Sequence, residues 1–291
     1  MTALPCPGGP LAAPLAPAHF ARVAAIARRE AGLQIPDVKA PMVQSRLARR
    51  LRALGVARIE DYLDFVEAAD GQAERLELVA ALTTNVTQFF RERHHFDTLR
   101  TSVLPGLVAR ARAGGRVRIW SAGCSTGQEA YSIAVELLRA APDAGQLDLR
   151  VLATDIDRHV LDEARKGLYP RAAVASLPAA DIATLGVPGP ADAAIDIRPA
   201  LRELVSFRAL NLLDPWPMRC PFDAIFCRNV VIYFDTDTQR RLWPRFAAAL
   251  TPGGWLFLGH SERVQDGAAP DLAGAGVTTY RRAGPLRNGG T

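Results

Sequence analysis

Apolar residues recur every three or four positions through roughly the first third of the chain, which is the spacing of amphipathic helices. The clearest set is Val43, Leu47, Leu51 and Leu54. We predict four helices there, at residues 18–31, 38–54, 59–69 and 72–83. Prolines and glycines separate these segments, as expected near helix ends. The sequence therefore predicts a helical N-terminal domain.

The pattern changes after a further helix, predicted at residues 92–112. Short apolar strands are predicted at 116–120, 148–154, 203–208, 222–227, 254–259 and 277–282. Helices are predicted between several of them, at 127–140, 156–166 and 236–250. Strands that alternate with helices indicate a parallel, doubly wound α/β sheet, which binds its ligand at the carboxyl ends of the strands.

One segment interrupts this alternation. Residues 169–203 are rich in proline and alanine, and within them Ile195 to Arg198 alternates apolar with polar residues. Such alternation predicts a small antiparallel β insertion. Residues 1–17 contain five prolines and no charged side chain, so we predict a flexible tail there. The domains are then predicted at 18–91 and 92–291, with the insertion at about 169–203.

Composition indicates a soluble, cytoplasmic protein. No apolar run approaches the ~20 residues of a membrane-spanning helix, and the N-terminus lacks the basic start of a secretory signal. The four cysteines, at positions 6, 124, 220 and 227, lack the spacing of metal ligands or redox pairs. We therefore expect neither a metal site nor redox chemistry.

The net charge of +5 is concentrated near the N-terminus, where residues 21–58 contain nine Lys or Arg but only two acids. Arg46, Arg49 and Arg50 lie three and four positions apart, beside the apolar face of their helix. This basic face is either a solvated surface or a docking surface for an acidic partner. Interleaved aromatic residues are missing, so we expect no nucleic-acid partner.

The segment WSAGCSTGQEAYSIA, residues 120–134, raises two alternatives. Gly123 to Gly127 matches the G-x-S-x-G turn of serine hydrolases, with Ser125 as nucleophile and His260 as a possible base. The turn would follow the first strand, however, and no glycine-rich oxyanion loop precedes it. A hydroxyl that satisfies the backbone of a turn is the favoured reading of Ser125.

The second alternative is a nucleotide-binding turn. The loop lacks the Lys of a phosphate-binding loop and the G-x-G-x-x-G of a dinucleotide site. Asp155 ends the second strand, where a carboxylate takes the ribose hydroxyls of a nucleoside, unless it only caps the next helix. Glu129 favours a cation, unless it only complements the helix dipole. A ligand with a ribose, a positive charge and no phosphate fits these features, and S-adenosyl-L-methionine has that chemistry.

Six motifs in order along the chain resemble the bacterial chemotaxis receptor methyltransferases, the CheR family. They are Thr83 to Glu92 (TTNVTQFFRE), Trp120 to Gly127 (WSAGCSTG), Asp155 to Asp157 (DID), Asn211 to Leu213 (NLL), Phe222 to Asp235 (FDAIFCRNVVIYFD) and Gly259 to Glu262 (GHSE). The resemblance runs from about residue 20 to 282 and implies an N-terminal helical receptor-recognition domain followed by a Rossmann-like methyltransferase sheet. Gln128 and Ala130 depart from the family's usual Gly-Glu-Glu-Pro-Tyr-Ser in the first loop.

The resemblance implies methyl transfer from S-adenosyl-L-methionine to glutamate side chains on the cytoplasmic helices of methyl-accepting chemoreceptors, with S-adenosyl-L-homocysteine as the second product. The cofactor-binding residues that it implies are Asn85, Thr87, Arg91, Gly123, Glu129, Asp155, Asn211, Leu212, Arg228 and Asn229. Arg91 and Tyr233 are the expected catalytic residues, one guiding the carboxylate and the other positioning the methyl group. Arg46, Arg49 and Arg50 are the expected receptor-binding residues.

We expect a monomer that reaches the membrane only through its receptors. In some members of the family the insertion grips a receptor's C-terminal peptide, and the sequence leaves that open here. A glutamate carboxylate has a reference pKa of about 4.3, so it attacks without a general base. A regulator that only binds the cofactor or its product remains the non-enzymatic alternative.

Overall fold

The computed structural model describes residues 14–190 and 193–284. Their contacts form two compact units, one of residues up to Thr84 together with Tyr233–Asp235, and one of Asn85–Ile232 together with residues from Thr236 onward. This division falls earlier in the chain than the predicted boundary after residue 91. Most of the predicted tail, residues 1–13, lies outside the described residues.

The first unit is helical, as predicted. Its helices are α1 (Pro17–Ala31), α2 (Ala40–Leu54), α3 (Ile59–Glu67) and α4 (Gln72–Leu82). Val43, Leu47 and Leu51 are fully buried in its core. Leu54, which we placed on the same apolar face, is 43% exposed and is the last residue of α2.

The second unit begins with the helix predicted at 92–112, which the structure divides. Helix α5 (His94–Thr98) continues through a π-helical stretch (Leu99–Val103) into α6 (Leu104–Arg112). Pro105 lies in the first turn of α6. Proline has no amide hydrogen to continue the regular bonding pattern, so the wider π turn precedes it.

The second unit is built on a seven-stranded sheet. The remaining elements in chain order are β1 (Val117–Ala122), α7 (Gln128–Ala140), β2 (Leu149–Asp155), α8 (Arg158–Lys166), β3 (Leu168–Pro170), α9 (Ala179–Leu185), β4 (Gly186–Pro188), β5 (Ala194–Ile197), α10 (Pro199–Leu204), β6 (Val205–Ala209), β7 (Phe222–Cys227), α11 (Thr236–Ala249), β8 (Leu250–Leu258), β9 (Leu272–Gly276) and β10 (Thr279–Arg282). The strand order of the large sheet is β6-β2-β1-β7-β8-β10-β9.

The first five strands of that order are parallel, and β10 runs antiparallel to both β8 and β9. The α/β class is confirmed. The chain passes from β1 to β2 on one side and returns after β6 to β7 on the other, so the strand order reverses between β1 and β7. In such sheets the ligand binds outside the carboxyl ends of the strands at this switch point.

A second, three-stranded sheet has the order β3-β5-β4 and is antiparallel throughout. It confirms the small antiparallel insertion. Among the described residues, no helix combines the length and the apolar character that a membrane crossing requires.

Candidate functional site

The loop after β1 comes very close to the loop after β7. Gly123 has a φ of +85°, and a Cβ atom at this position would lie 2.3 Å from Val230 Cγ2. The amides of Gly123 and Cys124 donate to Thr154 O at 2.8 and 2.9 Å. Glycine is therefore required both by the backbone conformation and by the space available.

Ser125 acts as a turn residue in this loop. Its hydroxyl donates to Asn85 O at 2.9 Å, and its amide donates to Asp155 Oδ2 at 2.8 Å. The Ser125 side chain is thus bonded to a backbone carbonyl, which is the turn role that the sequence favoured for it. His260, the base that a hydrolase would need, has its Nδ1 3.1 Å from Glu92 Oε1.

Asp155 ends β2 as a buried carboxylate with a fixed orientation. Besides the amide of Ser125, it accepts a hydrogen bond from Asp157 N at 3.0 Å. Burial raises the pKa of Asp155 to about 6, and these backbone amides oppose that rise. The helix cap is Asp157, whose Oδ1 accepts from His159 N at 2.9 Å. The alternative role of Asp155 as a helix cap is therefore wrong.

A buried ion-pair network lies behind the loop. Glu129 Oε1 accepts from Ser121 Oγ at 2.7 Å, and Glu129 Oε2 accepts from Arg228 Nη1 at 3.1 Å. Arg228 Nη2 also lies 3.2 Å from Glu92 Oε2 and donates to Arg91 O. Burial raises the pKa of Glu129, and Arg228 opposes that rise. Both carboxylate oxygens of Glu129 thus accept hydrogen bonds from protein groups. In this structure Glu129 fixes the position of the Arg228 side chain.

Glu92 keeps its charge in this network. Burial alone would raise the pKa of Glu92, but Arg228 and His260 outweigh burial and lower that pKa to about 2. The buried guanidinium of Arg228 therefore lies between two carboxyl groups, those of Glu92 and Glu129.

The segment from Asn85 to Glu92 carries local strain. Phe90 and Glu92 have φ angles of +52° and +55°, and such conformations cost non-glycine residues about 1–3 kcal/mol each. Phe90 N donates to Ser132 Oγ at 2.9 Å, which ties the segment to α7. Asn85 Nδ2 donates to Asp157 Oδ2 at 2.9 Å. These contacts hold the segment beside the carboxyl ends of β1 and β2.

The other residues predicted on this segment lie along it. Arg91 is half-buried, and its Nη1 donates to Val86 O at 3.0 Å. Thr87, which follows Val86 in the chain, is also half-buried. The guanidinium of Arg91 is thereby bent back over its own segment.

The loops after β6 and β7 complete the cluster. Leu210 N donates to Asp155 O at 2.9 Å, so the residues that follow begin beside β2. Asn211 Oδ1 accepts from Leu213 N at 3.0 Å, and the buried Leu212 accepts from Arg245 Nη1 at 2.7 Å through its carbonyl.

Asn229, on the loop after β7, has a φ of +59°. Its amide donates to Glu262 Oε2 at 2.8 Å, and its Nδ2 lies 3.4 Å from Glu92 Oε1. All ten predicted cofactor-binding residues thus belong to the second unit. Five of them lie on the loops that follow β1, β6 and β7, Asp155 ends β2, and Glu129 lies in the first turn of α7.

Tyr233 is placed differently. It is grouped with the helical unit, where its carbonyl accepts from Gln34 N at 2.8 Å and Lys39 Nζ lies 5.7 Å from its ring centroid. Its catalytic role stays a prediction.

The three arginines of α2 have three different environments. Arg50 pairs with Glu74 at 2.6 Å and with Glu77 at 3.1 Å. Arg46 donates to Thr83 O at 2.6 Å, and burial lowers its pKa. Arg49 is exposed. Arg50 therefore joins α2 to α4, which the helical spacing did not predict, and Arg49 is the exposed member of the three.

Glu92, His94 and His95 offer three potential metal-ligand atoms within 4.8 Å of one another. The guanidinium of Arg228, 3.2 Å from Glu92 Oε2, already neutralises that carboxylate and repels a second cation. Burial, with Arg228 and His94, lowers the pKa of His95 to about 3. We assign no metal to this group.

Three residues that we had given no role organise the site: Glu92, Tyr169 and Glu262. Glu92 and Glu262 stand inside the recognised motifs, which is the signal that could have drawn attention to them. Tyr169 comes from β3 of the insertion, and its hydroxyl donates to Thr126 O at 2.6 Å. Its ring contacts Phe89 edge-on, with the centroids 4.9 Å apart. The insertion thereby supports both the loop after β1 and the segment before α5.

The chain matches two family models along most of its length. Residues 85–278 match the model described as CheR methyltransferase, SAM binding domain, and residues 18–83 match the CheR methyltransferase, all-alpha domain. The chain belongs to the CheR methyltransferase family. The resemblance drawn from the six motifs is confirmed.

Curated relatives agree with this assignment. The chain is 45% identical to a probable chemotaxis protein methyltransferase of Rhizobium etli, over 87% of its own length and 95% of the relative's. It is 43% identical to the chemotaxis protein methyltransferase of Klebsiella aerogenes, over 92% of this chain and 90% of that one. It is 41% identical to the chemotaxis protein methyltransferase of Escherichia coli, over 85% of each chain.

S-adenosylmethionine is the cofactor, and the residues of this CheR chain fit it. Gly123 lets the loop after β1 lie directly against Val230 of the loop after β7, and Asp155 offers a buried carboxylate with lone pairs for ribose hydroxyls. Residues 123–129 contain no lysine that would serve a phosphate. The donor set thus suits a nucleoside that carries no phosphate.

Removing the Tyr169 hydroxyl tests whether the insertion supports the cofactor loop of this CheR chain, because that hydroxyl makes one hydrogen bond to the loop. We expect Tyr169→Phe to weaken S-adenosylmethionine binding roughly two- to tenfold, since one hydrogen bond of about 0.5–1.5 kcal/mol to the loop is lost. Isothermal titration calorimetry measures the change. Tyr131→Phe is the matched control, because Tyr131 is equally buried and its hydroxyl donates to Ala164 O at 2.9 Å. Equal weakening in both variants would show that Tyr169 does not act through the loop.

Proposed function

We propose that the protein transfers the methyl group of S-adenosylmethionine to glutamate side chains of methyl-accepting chemoreceptors, forming γ-glutamyl methyl esters. Its relatives are named chemotaxis protein methyltransferases. The observation that carries the proposal is the cluster of glycine loop, buried acids and polar loops at the switch point of the sheet, in a chain of this family.

The proposed methyl transfer requires no general acid or base from the protein. When bound, S-adenosylmethionine supplies an electrophilic methyl group on a sulfonium. A glutamate carboxylate, with a reference pKa of about 4.3, is ionised at neutral pH and needs no base. His95 and His260 fit this view, because burial lowers the pKa of His95 to about 3 and His260 pairs with Glu92.

The residues of this chain have binding and positioning roles in the proposal. Asp155 accepts the ribose hydroxyls, and the Asn211 and Asn229 loops border the same pocket. Arg228 and its two carboxylates hold the loops together and exclude water. Arg91 guides the incoming carboxylate, since its guanidinium is bent back towards Val86 O and remains half-exposed. Alignment of this kind contributes more to methyl transfer than proton transfer does.

The proposal is tested with methyl-labelled S-adenosylmethionine and membranes that contain chemoreceptors of the same organism. We expect label to enter the receptors and to be released as methanol by mild base, which is the behaviour of a carboxyl methyl ester. Cofactor binding without incorporation would support the alternative of a regulator. Incorporation that resists base would contradict glutamate as the acceptor.

Receptor docking is assigned to the exposed part of the α2 face. We expect Arg49→Glu to lower the rate of receptor methylation roughly tenfold at low salt, because reversed charge opposes an acidic helical partner. The dissociation constant for S-adenosylmethionine should stay unchanged. Arg58→Glu is the control, since Arg58 is a 69% exposed arginine of the same unit outside α2. A loss of the same size in both variants would mean that overall charge, and not the α2 face, attracts the receptor.

A further inference from the structure

Glu262 is a buried carboxylate that joins two strand ends of the large sheet. It is 4% exposed, although it lies on the loop after β8. Its Oε2 accepts from Gly259 N at 2.6 Å and from Asn229 N at 2.8 Å. Its Oε1 accepts from Val230 N at 2.8 Å and from Ile232 N at 3.2 Å. A single side chain thus satisfies four backbone amides.

Three of those amides belong to the loop after β7. Asn229, the second residue of this loop, has a left-handed conformation, with a φ of +59°. Such a conformation is unfavourable for a non-glycine residue unless its surroundings hold it. The Glu262 carboxylate supplies charge-assisted hydrogen bonds at this point, which are roughly twice as strong as neutral ones.

The neighbouring Gly259 shows how tightly the two loops meet. A Cβ atom there would lie 2.5 Å from Asn229 Nδ2, 2.7 Å from Asn229 N and 2.8 Å from Glu262 Oε2. The side-chain amide of Asn229 is therefore confined between Gly259 and Glu92. Its orientation depends on the loop geometry that Glu262 maintains.

We propose that Glu262 is a positioning residue for the methyl transfer, acting through Asn229: it holds the loop after β7 so that the Asn229 side chain meets the cofactor. This inference rests on the proposed function. Glu262 itself touches neither substrate in this scheme, because its oxygens face the backbone amides of two loops.

Glu262→Gln is the first variant to measure. Whichever way the new amide turns, its NH2 group faces two backbone amides that also donate, so one side of the loop loses its acceptor. We expect the dissociation constant for S-adenosylmethionine to rise roughly ten- to a hundredfold, since hydrogen bonds to charged groups are lost and donors are left unpaired. Glu136→Gln is the matched control, because Glu136 is equally buried and accepts from Arg139 at 3.2 Å.

A double-mutant cycle separates positioning from general destabilisation. Asn229→Gly keeps the left-handed backbone but removes the side chain. In that background we expect Glu262→Gln to change the dissociation constant by less than about threefold. Full additivity of the two effects would overturn the proposal, and so would normal cofactor binding by Glu262→Gln.

A second variant serves if Glu262→Gln does not fold. Gly259→Ala keeps the Glu262 carboxylate in the chain but pushes it away from Asn229, because the added Cβ would lie within 2.8 Å of both residues. It should raise the dissociation constant for S-adenosylmethionine, and this effect should become small when Asn229→Gly is also present. An unchanged dissociation constant would contradict the proposal. The wild-type protein is measured first. Failure of the wild type to bind or transfer label would refute the proposed function, whereas a normal wild type with normal variants would refute only the role of Glu262.

Discussion

Arg228→Met should abolish detectable methyl transfer and lower the free energy of unfolding of the second unit by about 3–5 kcal/mol, the range seen when one partner of a buried ion pair is removed. The Arg228 side chain is 2% exposed and lies between Glu129 and Glu92. Without it, two carboxylates are left in a site that excludes water. Urea unfolding measures the stability, and calorimetry measures cofactor binding.

A second variant shows whether the unpaired charges cause this effect. Adding Glu129→Gln to Arg228→Met removes one of the two carboxylates and should recover part of the stability, but not the activity. Arg112→Met is the surface control. Arg112 is 51% exposed beside Asp143, and exposed pairs contribute about 0–1 kcal/mol. Equal stability losses in Arg228→Met and Arg112→Met would contradict the buried network.

Gly123→Ala should weaken S-adenosylmethionine binding about a hundredfold, which is similar in size to the loss of catalysis that a displacement of about 1 Å can cause in an active site. The added Cβ would lie 2.3 Å from Val230 Cγ2, so the loops after β1 and β7 must separate. The φ of +85° adds backbone strain. Calorimetry with the cofactor measures the loss.

Two further variants divide this loss between collision and strain. Gly114→Ala introduces the same residue at a φ of +83°, where nothing lies within 4 Å, and should cost stability without affecting cofactor binding. Val230→Ala, added to Gly123→Ala, removes the colliding methyl group and should restore much of the affinity. Failure of this rescue would show that strain, and not the approach of the two loops, is the cause.

The pattern of apolar residues predicted most elements because each is periodic by itself. The four N-terminal helices and the six predicted strands are all present. Strand β9, with the sequence Leu-Ala-Gly-Ala-Gly, was missed because it offers neither branched residues nor alternation. It forms only by pairing with β10. The π-helical stretch at Leu99–Val103 was missed for a related reason, since helical spacing does not reveal how the hydrogen bonds are shared around Pro105.

Motif order was a good guide to which residues lie together, and a poor guide to what each one contacts. The cofactor-binding residues carried over from the family all fall in the second unit. Glu129, however, bonds to Ser121 and Arg228, and Arg50 pairs with Glu74. Charge alone had suggested a cation site for the first and a docking surface for the second. The partner of a charged side chain comes from a distant part of the chain, which sequence spacing does not specify.

The sequence by itself determined the α/β class, the helical N-terminal domain, the antiparallel insertion and the CheR resemblance, because local periodicity and ordered motifs are written along the chain. Only the tertiary structure decided that Ser125 is a turn residue, that Asp157 caps α8, and that Arg228 and Glu262 join loops from different strands. The physical reason is that each of these roles depends on a hydrogen bond or ion pair whose partner is chosen by the packing of the sheet. The WSAGCSTG loop illustrates both kinds of information. Its glycines were recognisable in the sequence, whereas the approach of Gly123 to Val230 became visible only in the tertiary structure.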